Sequence, residues 1–330
     1  MVERKNFGKG VVLKIFVTGG AGFIGSHLCE KFLSEGHFVT AYDNLILGKR
    51  ELLKNFIDHK NFRFIQNDLL ELEVLTREMA GADLVYHLAA NSDIAQGAST
   101  TTIDLHNGTI ATYNTLEAMR LNGIKQMVFA STSAIYGEAT IKPTPENYGP
   151  LLPISFYGAS KLACEALCSA FSHNFDMKIW VYRFANIVGS HATHGAIHDF
   201  VVRLLKKPER LEVLGNGTQK KSYLHIEDCI SGMRFGFEKC KENFQVFNLA
   251  SVGVTEVLFI AEEVAKQVSE RSGVRAEIIF GQENRGWRGD VPYTHLTREK
   301  FLSVGWQAKL SSNEAVALAI KEIISEKFQG

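Results

Sequence analysis

The sequence predicts an α/β fold built on a doubly wound parallel sheet, with a smaller α/β cap domain. Three observations carry that prediction. Short apolar runs of strand character alternate with helical stretches through the first half of the chain, the pattern of parallel strands joined by crossovers. A glycine-rich turn separates the first strand from the first helix. The strands end in acids, hydroxyls or small residues, and in such sheets ligands lie beyond the carboxyl ends of the strands.

Taken in order, residues 11–17 read as the first strand and Thr18-Gly19-Gly20-Ala21-Gly22-Phe23-Ile24-Gly25 as the turn. Residues 26–35 read as a helix and 36–43 as the second strand, ending in Asp43. Gly19, Gly22 and Gly25 have G-x-x-G-x-x-G spacing, a variant of the dinucleotide fingerprint. The first glycine permits a tight turn, the second lets backbone approach a pyrophosphate, and the third lets helix and strand pack closely. The phosphates then rest on the helix N-terminus, with Phe23 and Ile24 in the same cofactor-binding turn. The Asp43 carboxylate can accept from adenosine ribose hydroxyls and repel a 2′-phosphate, which favours NAD over NADP. Lys49 and Arg50 nearby temper that preference, and Asn44 follows on the cofactor side. The next strand, within 62–69, ends in Asp68, a candidate for the adenine amino group, with Leu69 beside it. The strand within 82–90 ends in Leu88-Ala89-Ala90, small enough for a cofactor to lie close to backbone. The strand within 125–133 ends in hydroxyls, among them Thr132.

Tyr157 and Lys161 stand at i and i+4 in a helical run and so share a face. A free phenol ionises near ~10, and a neighbouring cation lowers that value. The pair is therefore a general acid/base wherever a proton must move. Most such pairs are a half-buried ring and a solvated amine. Here the glycine turn places a hydride acceptor in the same fold, and that gives the spacing its weight.

The bulk numbers exclude several classes. The 330 residues allow one large domain or two modest ones. Lys+Arg and Asp+Glu balance at 36 each, so no net field attracts nucleic acid or anionic membrane. No apolar run approaches the ~20 residues that span a bilayer. Residues 1–10 read as a polar, basic tail without the apolar stretch of a signal peptide. Cys29, Cys164, Cys168, Cys229 and Cys240 are odd in number and never spaced C-x-x-C, which suits a reducing cytoplasm. His191, His194 and His198 are irregular for one helical face and have no carboxylate or thiolate to complete a set, so no metal is expected.

The runs T-G-G-A-G-F-I-G, D-N-L, H-L-A-A, S-T-S-A-I-Y-G, Y-G-A-S-K and Y-R-F-A-N-I-V-G occur in that order. Together they resemble the extended short-chain dehydrogenase/reductase family over about residues 11 to 325. Within it the resemblance is to NAD-dependent nucleotide-sugar epimerases of the UDP-glucose 4-epimerase type. It implies a Rossmann-type sheet, NAD as cofactor, and a catalytic set of Thr132, Tyr157 and Lys161. Lys161 would also bind the nicotinamide ribose, Asn107 would lie near the nicotinamide, and Phe184 joins the cofactor set. The positive charges of Lys161 and of the oxidised cofactor would depress the tyrosine. The implied reaction is transient oxidation at the sugar C4, with Tyr157 taking and returning one proton.

On the substrate side the resemblance places Asn186 at the diphosphate and Val213 and Leu214 beside the base, with Tyr223 in the same set. Lys221 stands where the family has an arginine. Arg285, with Arg288 as the alternative, takes the second phosphate, next to Asp290. Thr294 is smaller than the family's gatekeeper, which leaves room for an N-acetylhexosamine. Related 4,6-dehydratases carry carboxylates at the positions of Ser133 and Ala134, and decarboxylases carry a glutamate at the latter. Their absence here favours epimerisation, and the resemblance implies a nucleotide-sugar substrate, a UDP-sugar before others.

The expected domains are 11–185 with a return segment about 231–260, and 186–230 with 270–325. Residues 311–326 read as an amphipathic helix. Helices around 107–121 and 160–172 are those the family pairs, which implies a homodimer. The alternatives are a reductase, a decarboxylase, an epimerase acting at another carbon, or a non-catalytic NAD sensor. A sensor need not keep Thr132, Tyr157 and Lys161.

Overall fold

The computed structural model describes residues 10–287 and 289–329. Its large sheet has strands β1 (Lys14–Thr18), β2 (Phe38–Asp43), β3 (Phe62–Gln66), β4 (Leu84–His87), β5 (Gln126–Thr132), β6 (Lys178–Phe184) and β7 (Phe244–Leu249). These are nearly continuous apolar runs, such as Ile15-Phe16-Val17 and Met127-Val128-Phe129, as a parallel sheet covered on both faces requires. The order is β7-β6-β5-β4-β1-β2-β3. The register is parallel across β1–β2, β2–β3, β1–β4 and β4–β5. From β1 the chain winds outward to β3, then restarts at β4 on the other side. The crevice between β1 and β4 is thus the topological switch point, where such sheets bind ligands.

Helices α1 (Phe23–Ser34), α2 (Leu72–Met79), α3 (Ala111–Leu121) and α4 (Phe156–Phe175) accompany the sheet. Leu75, Met79, Leu116, Met119, Cys164 and Cys168 pack with strand residues Phe16, Val85, Met127, Phe129 and Ile179 in one buried cluster. The two i, i+4 cysteines are therefore packing residues. The expected helix around 107–121 is split: a π-helical turn, Leu105–Ile110, precedes α3.

The chain divides into two compact units. One takes residues up to Ile135, Phe156–Arg183 and Met233–Phe247; the other takes Tyr136–Ser155, Phe184–Gly232 and the chain from Asn248 onward. The expected continuous run 11–185 is thus interrupted by Tyr136–Ser155. The reason is long-range pairing. The Tyr136 hydroxyl donates to Asn248 Oδ1 at 2.8 Å, and Asn248 Nδ2 donates to the Thr144 carbonyl at 2.9 Å. Thr144 N–H in turn donates to the His295 carbonyl at 2.7 Å.

In the second unit, Asn186–Val188 pairs with Tyr223–His225 and Arg210–Val213 with Glu277–Phe280, both in parallel. Lys220–Lys221 lies between Thr255–Glu256 and Tyr293–Thr294. Helices Ala196–Lys206, Val257–Ser272 and Ser312–Gln329 bury Ile197, Phe200, Val201, Ile260, Val264, Val316 and Ile320 together.

Candidate active site

The glycine turn after β1 can be built only from glycine. Gly19 has φ +71°, and a Cβ there would come within 2.8 Å of Ala89 N, so the turn lies directly against the end of β4. A Cβ on Gly25 would collide with the Gly19 carbonyl. Gly22 caps α1 without a side-chain hydrogen bond, and the first turn holds no acid. The first N–H groups of α1 thus face outward with the positive end of the helix dipole, which suits a phosphate.

At the end of β2, Asp43 is nearly buried. Its Oδ2 accepts from Ala21 N–H at 3.0 Å and its Oδ1 from Leu45 N–H at 2.9 Å. Burial pushes its carboxyl upward, and the two backbone bonds oppose that. The carboxylate therefore ties the glycine turn to the following loop, and its remaining lone pairs are available to hydroxyls. Asn44 Nδ2 donates to Asp68 Oδ2 at 2.9 Å, which joins the ends of β2 and β3 just before the buried Leu69. Leu88, Ala89 and Ala90 follow β4, and Ala89 N–H reaches Thr18 Oγ1 at 3.4 Å. Phe184 closes β6, nearly buried. The Cβ-free turn, the uncapped helix and the carboxylates at two strand ends fit a dinucleotide.

Thr132, Tyr157 and Lys161 meet near the ends of β5 and the start of α4. The Thr132 side chain hydrogen-bonds the Tyr157 phenol, and Thr132 Oγ1 also accepts from Ala134 N–H at 3.1 Å. Lys161 is 2% exposed. Its Nζ donates to the Ala130 carbonyl at 2.6 Å and lies 4.7 Å from the centre of the Phe129 ring. The depression expected from Lys161 is not what the protein's own groups produce at Tyr157. Burial pushes the phenol up to about 12; the Thr132 bond opposes this, and the Asp104 carboxylate adds to it. Desolvation outweighs a cation whose hydrogen bond goes to backbone.

Several neighbours escape the sequence reading. Asp104 is 2% exposed, its Oδ1 accepts from Asn91 Nδ2 at 3.2 Å, and its Oδ2 has no hydrogen-bond partner among the described residues. A Cβ on Gly97 would collide with that oxygen. Asp104 stands one residue before the π-helical turn that carries Asn107. The Ser160 hydroxyl donates to the Asp104 carbonyl at 2.7 Å, and a Cβ on Gly108 would collide with Ser160 Oγ. This turn is thereby fixed to α4 beside Lys161. Glu165 continues the i+4 series of Tyr157 and Lys161, the one signal that could have found it. It accepts from Ser131 Oγ at 2.5 Å and from Arg183 Nε and Nη2 at 3.0 and 2.7 Å. His87, at the end of β4, lies between Thr18 Oγ1 at 2.6 Å and Thr112 Oγ1 at 2.9 Å.

In the second unit, Asn186 pairs in register with Tyr223, whose phenol it hydrogen-bonds. Burial pushes that phenol up to about 12. Val213 is buried at the end of its strand, while Leu214 just beyond it is 61% exposed. Lys221 Nζ binds Asp290 Oδ1 at 2.5 Å, and Asp290 Oδ2 accepts from Gly286 N–H at 3.1 Å. Arg285 donates to the Asp290 carbonyl at 2.8 Å and to Glu138 at 2.5 Å. The structure thus brings Lys221, Arg285 and Asp290 together and adds Glu138, which the sequence reading missed. Thr294 is in register with Lys221 on the adjacent strand. Arg288 lies outside the described residues. Among the described residues no group of three potential ligands could hold a metal, and no helix is long and apolar enough to cross a membrane.

The fold and the glycine turn define a dinucleotide-dependent enzyme. The chain belongs to the NAD dependent epimerase/dehydratase family, whose sequence pattern matches residues 15–250. It is 32% identical over 321 residues to UDP-glucuronic acid decarboxylase 1 of Danio rerio, covering 93% of this chain and 72% of that protein. A crystal structure of a UDP-galactose 4-epimerase superposes with TM-score 0.84 at 34% identity, covering 95% of this chain and 99% of that one. The UDP-glucose 4-epimerase of Thermus thermophilus, in complex with NAD, gives TM-score 0.81 at 27% identity, covering 94% and 99%.

Proposed function

We propose that the chain is a nucleotide-sugar 4-epimerase acting on a UDP-hexose, plain or N-acetylated. One observation carries the reading. Thr132 and Tyr157 share a hydrogen bond, while Ser133 and Ala134 follow in a short 3-10 turn with no carboxylate at either position. Of the nearby carboxylates, Glu165 has both oxygens taken by Ser131 and Arg183, and Asp104 is packed against Gly97 and bonded by Asn91. The exchangeable proton of the site is therefore the one on Tyr157. Reversible oxidation at one carbon needs a single proton taken and returned at one oxygen, whereas dehydration needs a further acid and base.

Bound NAD, held by the glycine turn with Asp43, Asn44, Asp68, Leu69, the Leu88–Ala90 backbone, Asn107 and Phe184, supplies a reversible hydride acceptor. Tyr157 holds the proton at the sugar 4-hydroxyl, and Thr132 orients that oxygen through the shared hydrogen bond. Lys161, kept on Ala130, supplies positive charge and a donor for the nicotinamide ribose. Asn186 and Tyr223, with Val213 and Leu214, are assigned to the nucleotide. Lys221 and Arg285 are assigned to the phosphates, with Asp290 holding both. The homodimer rests on the resemblance alone, and the cytoplasmic location on the few, odd-numbered cysteines without C-x-x-C spacing.

A second reading, decarboxylation of a UDP-uronate, is favoured by the similarity to the Danio rerio decarboxylase. Incubation with NAD and a panel of UDP-, GDP-, CDP- and dTDP-sugars, with products identified by NMR, separates the readings. Interconversion of 4-epimers without release of CO2 or net NADH is expected. Loss of CO2 from a uronate would select the second reading, and no turnover of any sugar would reject both.

A further inference from the structure

The series Tyr157, Lys161, Glu165 places a carboxylate on the catalytic face of α4, two turns after the tyrosine. Glu165 is 7% exposed, Ser131 2% and Arg183 5%. A carboxylate this deeply buried is costly unless paired. Here both of its oxygens are held. Arg183, near the end of β6, reaches them with Nε at 3.0 Å and Nη2 at 2.7 Å. The Ser131 hydroxyl, near the end of β5, donates to Oε1 at 2.5 Å. The Glu165 charge also favours the charged Lys161, but burial outweighs it. The consequence is mechanical.

We propose that Glu165, through Ser131 and Arg183, is the positioning residue that sets the register of α4 against the ends of β5 and β6. In that role it fixes the approach of Tyr157 to Thr132. The inference rests on the reading of Thr132, Tyr157 and Lys161 as the catalytic set. Ser131 is the covalent neighbour of Thr132, and Lys161 donates to the carbonyl of Ala130, the residue before Ser131. Helix α4 is therefore bolted to three consecutive residues of β5: to Ala130 by Lys161, to Ser131 by Glu165 and to Thr132 by Tyr157. Arg183 adds the neighbouring strand to the same carboxylate with two parallel donors, which restrict direction as well as distance. Neither Glu165 nor Arg183 needs to touch substrate. A misplacement of about 1 Å between positioned catalytic groups costs up to about a hundredfold in rate.

The test compares Ser131→Ala, Glu165→Gln and Tyr157→Phe in the full chain. Turnover of the sugar nucleotide identified by the panel, NAD binding by fluorescence and thermal midpoint are measured for each. Ser131→Ala removes one hydroxyl and leaves the Glu165–Arg183 pair. Its kcat is expected to fall at least about tenfold with KM and NAD affinity within about twofold, the signature of a loss felt only at the reacting centre. Glu165→Gln is expected to lose more kcat, with the same split. If Ser131→Ala keeps kcat within about twofold while Tyr157→Phe is inactive, the inference is overturned and the function stands. If Tyr157→Phe is also active, the catalytic reading itself has failed. A fall in kcat matched by equal losses of NAD binding and thermal midpoint marks Ser131 and Glu165 as merely structural and overturns the inference. If Glu165→Gln does not fold, Ser131→Ala decides.

Discussion

Acid should destabilise this protein in part through one deeply buried imidazole. His87 is fully buried, 2.6 Å from Thr18 Oγ1 and 2.9 Å from Thr112 Oγ1. Each threonine hydroxyl can donate or accept, so a neutral ring is satisfied on both sides. Burial, with the Lys161 charge as a second cause, pushes the imidazole from its usual 6.5 down to about 3. Between these values the unfolded chain binds a proton that the folded chain refuses. The stability this neutral ring contributes is thus fully present above pH 6.5 and is lost as pH falls towards about 3. Near pH 4.5 the unfolded ring is about two pH units below its own value, which amounts to about 2.7 kcal/mol. His87→Gln keeps an amide for the threonines and removes the titration. Urea unfolding followed by fluorescence and circular dichroism, near pH 7 and near pH 4.5, gives the two differences. The native chain should lose about 2.7 kcal/mol more than the variant on acidification. Equal losses, within about 0.5 kcal/mol, would refute the assignment of a neutral, unprotonatable His87.

Three further outcomes are expected. Gly25→Ala, whose Cβ would collide with the Gly19 carbonyl, should weaken NAD binding at least about tenfold by fluorescence titration, since helix and turn can no longer close. Asp104→Asn removes a charge that pushes the Tyr157 phenol upward. The rising limb of its pH–rate profile should therefore move to lower pH, and an unmoved profile would show that Asp104 does not act on Tyr157. Arg285→Ala, by removing a charge-assisted contact assigned to the diphosphate, should raise KM about ten- to a hundredfold with kcat unchanged; an unchanged KM would return Arg285 to a purely structural role with Glu138.

What could be read from the sequence was local. Gly19, Gly22 and Gly25 announce themselves by spacing, and Tyr157 and Lys161 by one helical turn. The first five strands of the sheet were placed correctly, though two stop short of the residues expected to end them: Asp68 lies past the end of β3, and Ala89 and Ala90 past β4. Three kinds of feature were not legible. The first is the sign of the shift on Tyr157, because burial is decided by everything packed around it, whereas the cation is written four residues away. The second is pairing across long stretches of chain, as between Ser131, Glu165 and Arg183, or between Arg285 and Glu138. The third is the allegiance of Tyr136–Ser155, which follows from hydrogen bonds to Asn248 and His295.

The π-helical turn Leu105–Ile110 sets the local width of its helix. A π turn holds one residue more than the α turn it replaces, so removing any single residue from it would restore regular helix. Because the wider turn absorbs its extra residue within one turn of the axis, the segments on either side would keep nearly their present phase after that deletion, and only the local widening around Asn107 would be lost. Chain length within these six residues therefore decides the backbone on which Asn107 is carried, and a homologue shorter by one residue here would present regular helix in its place.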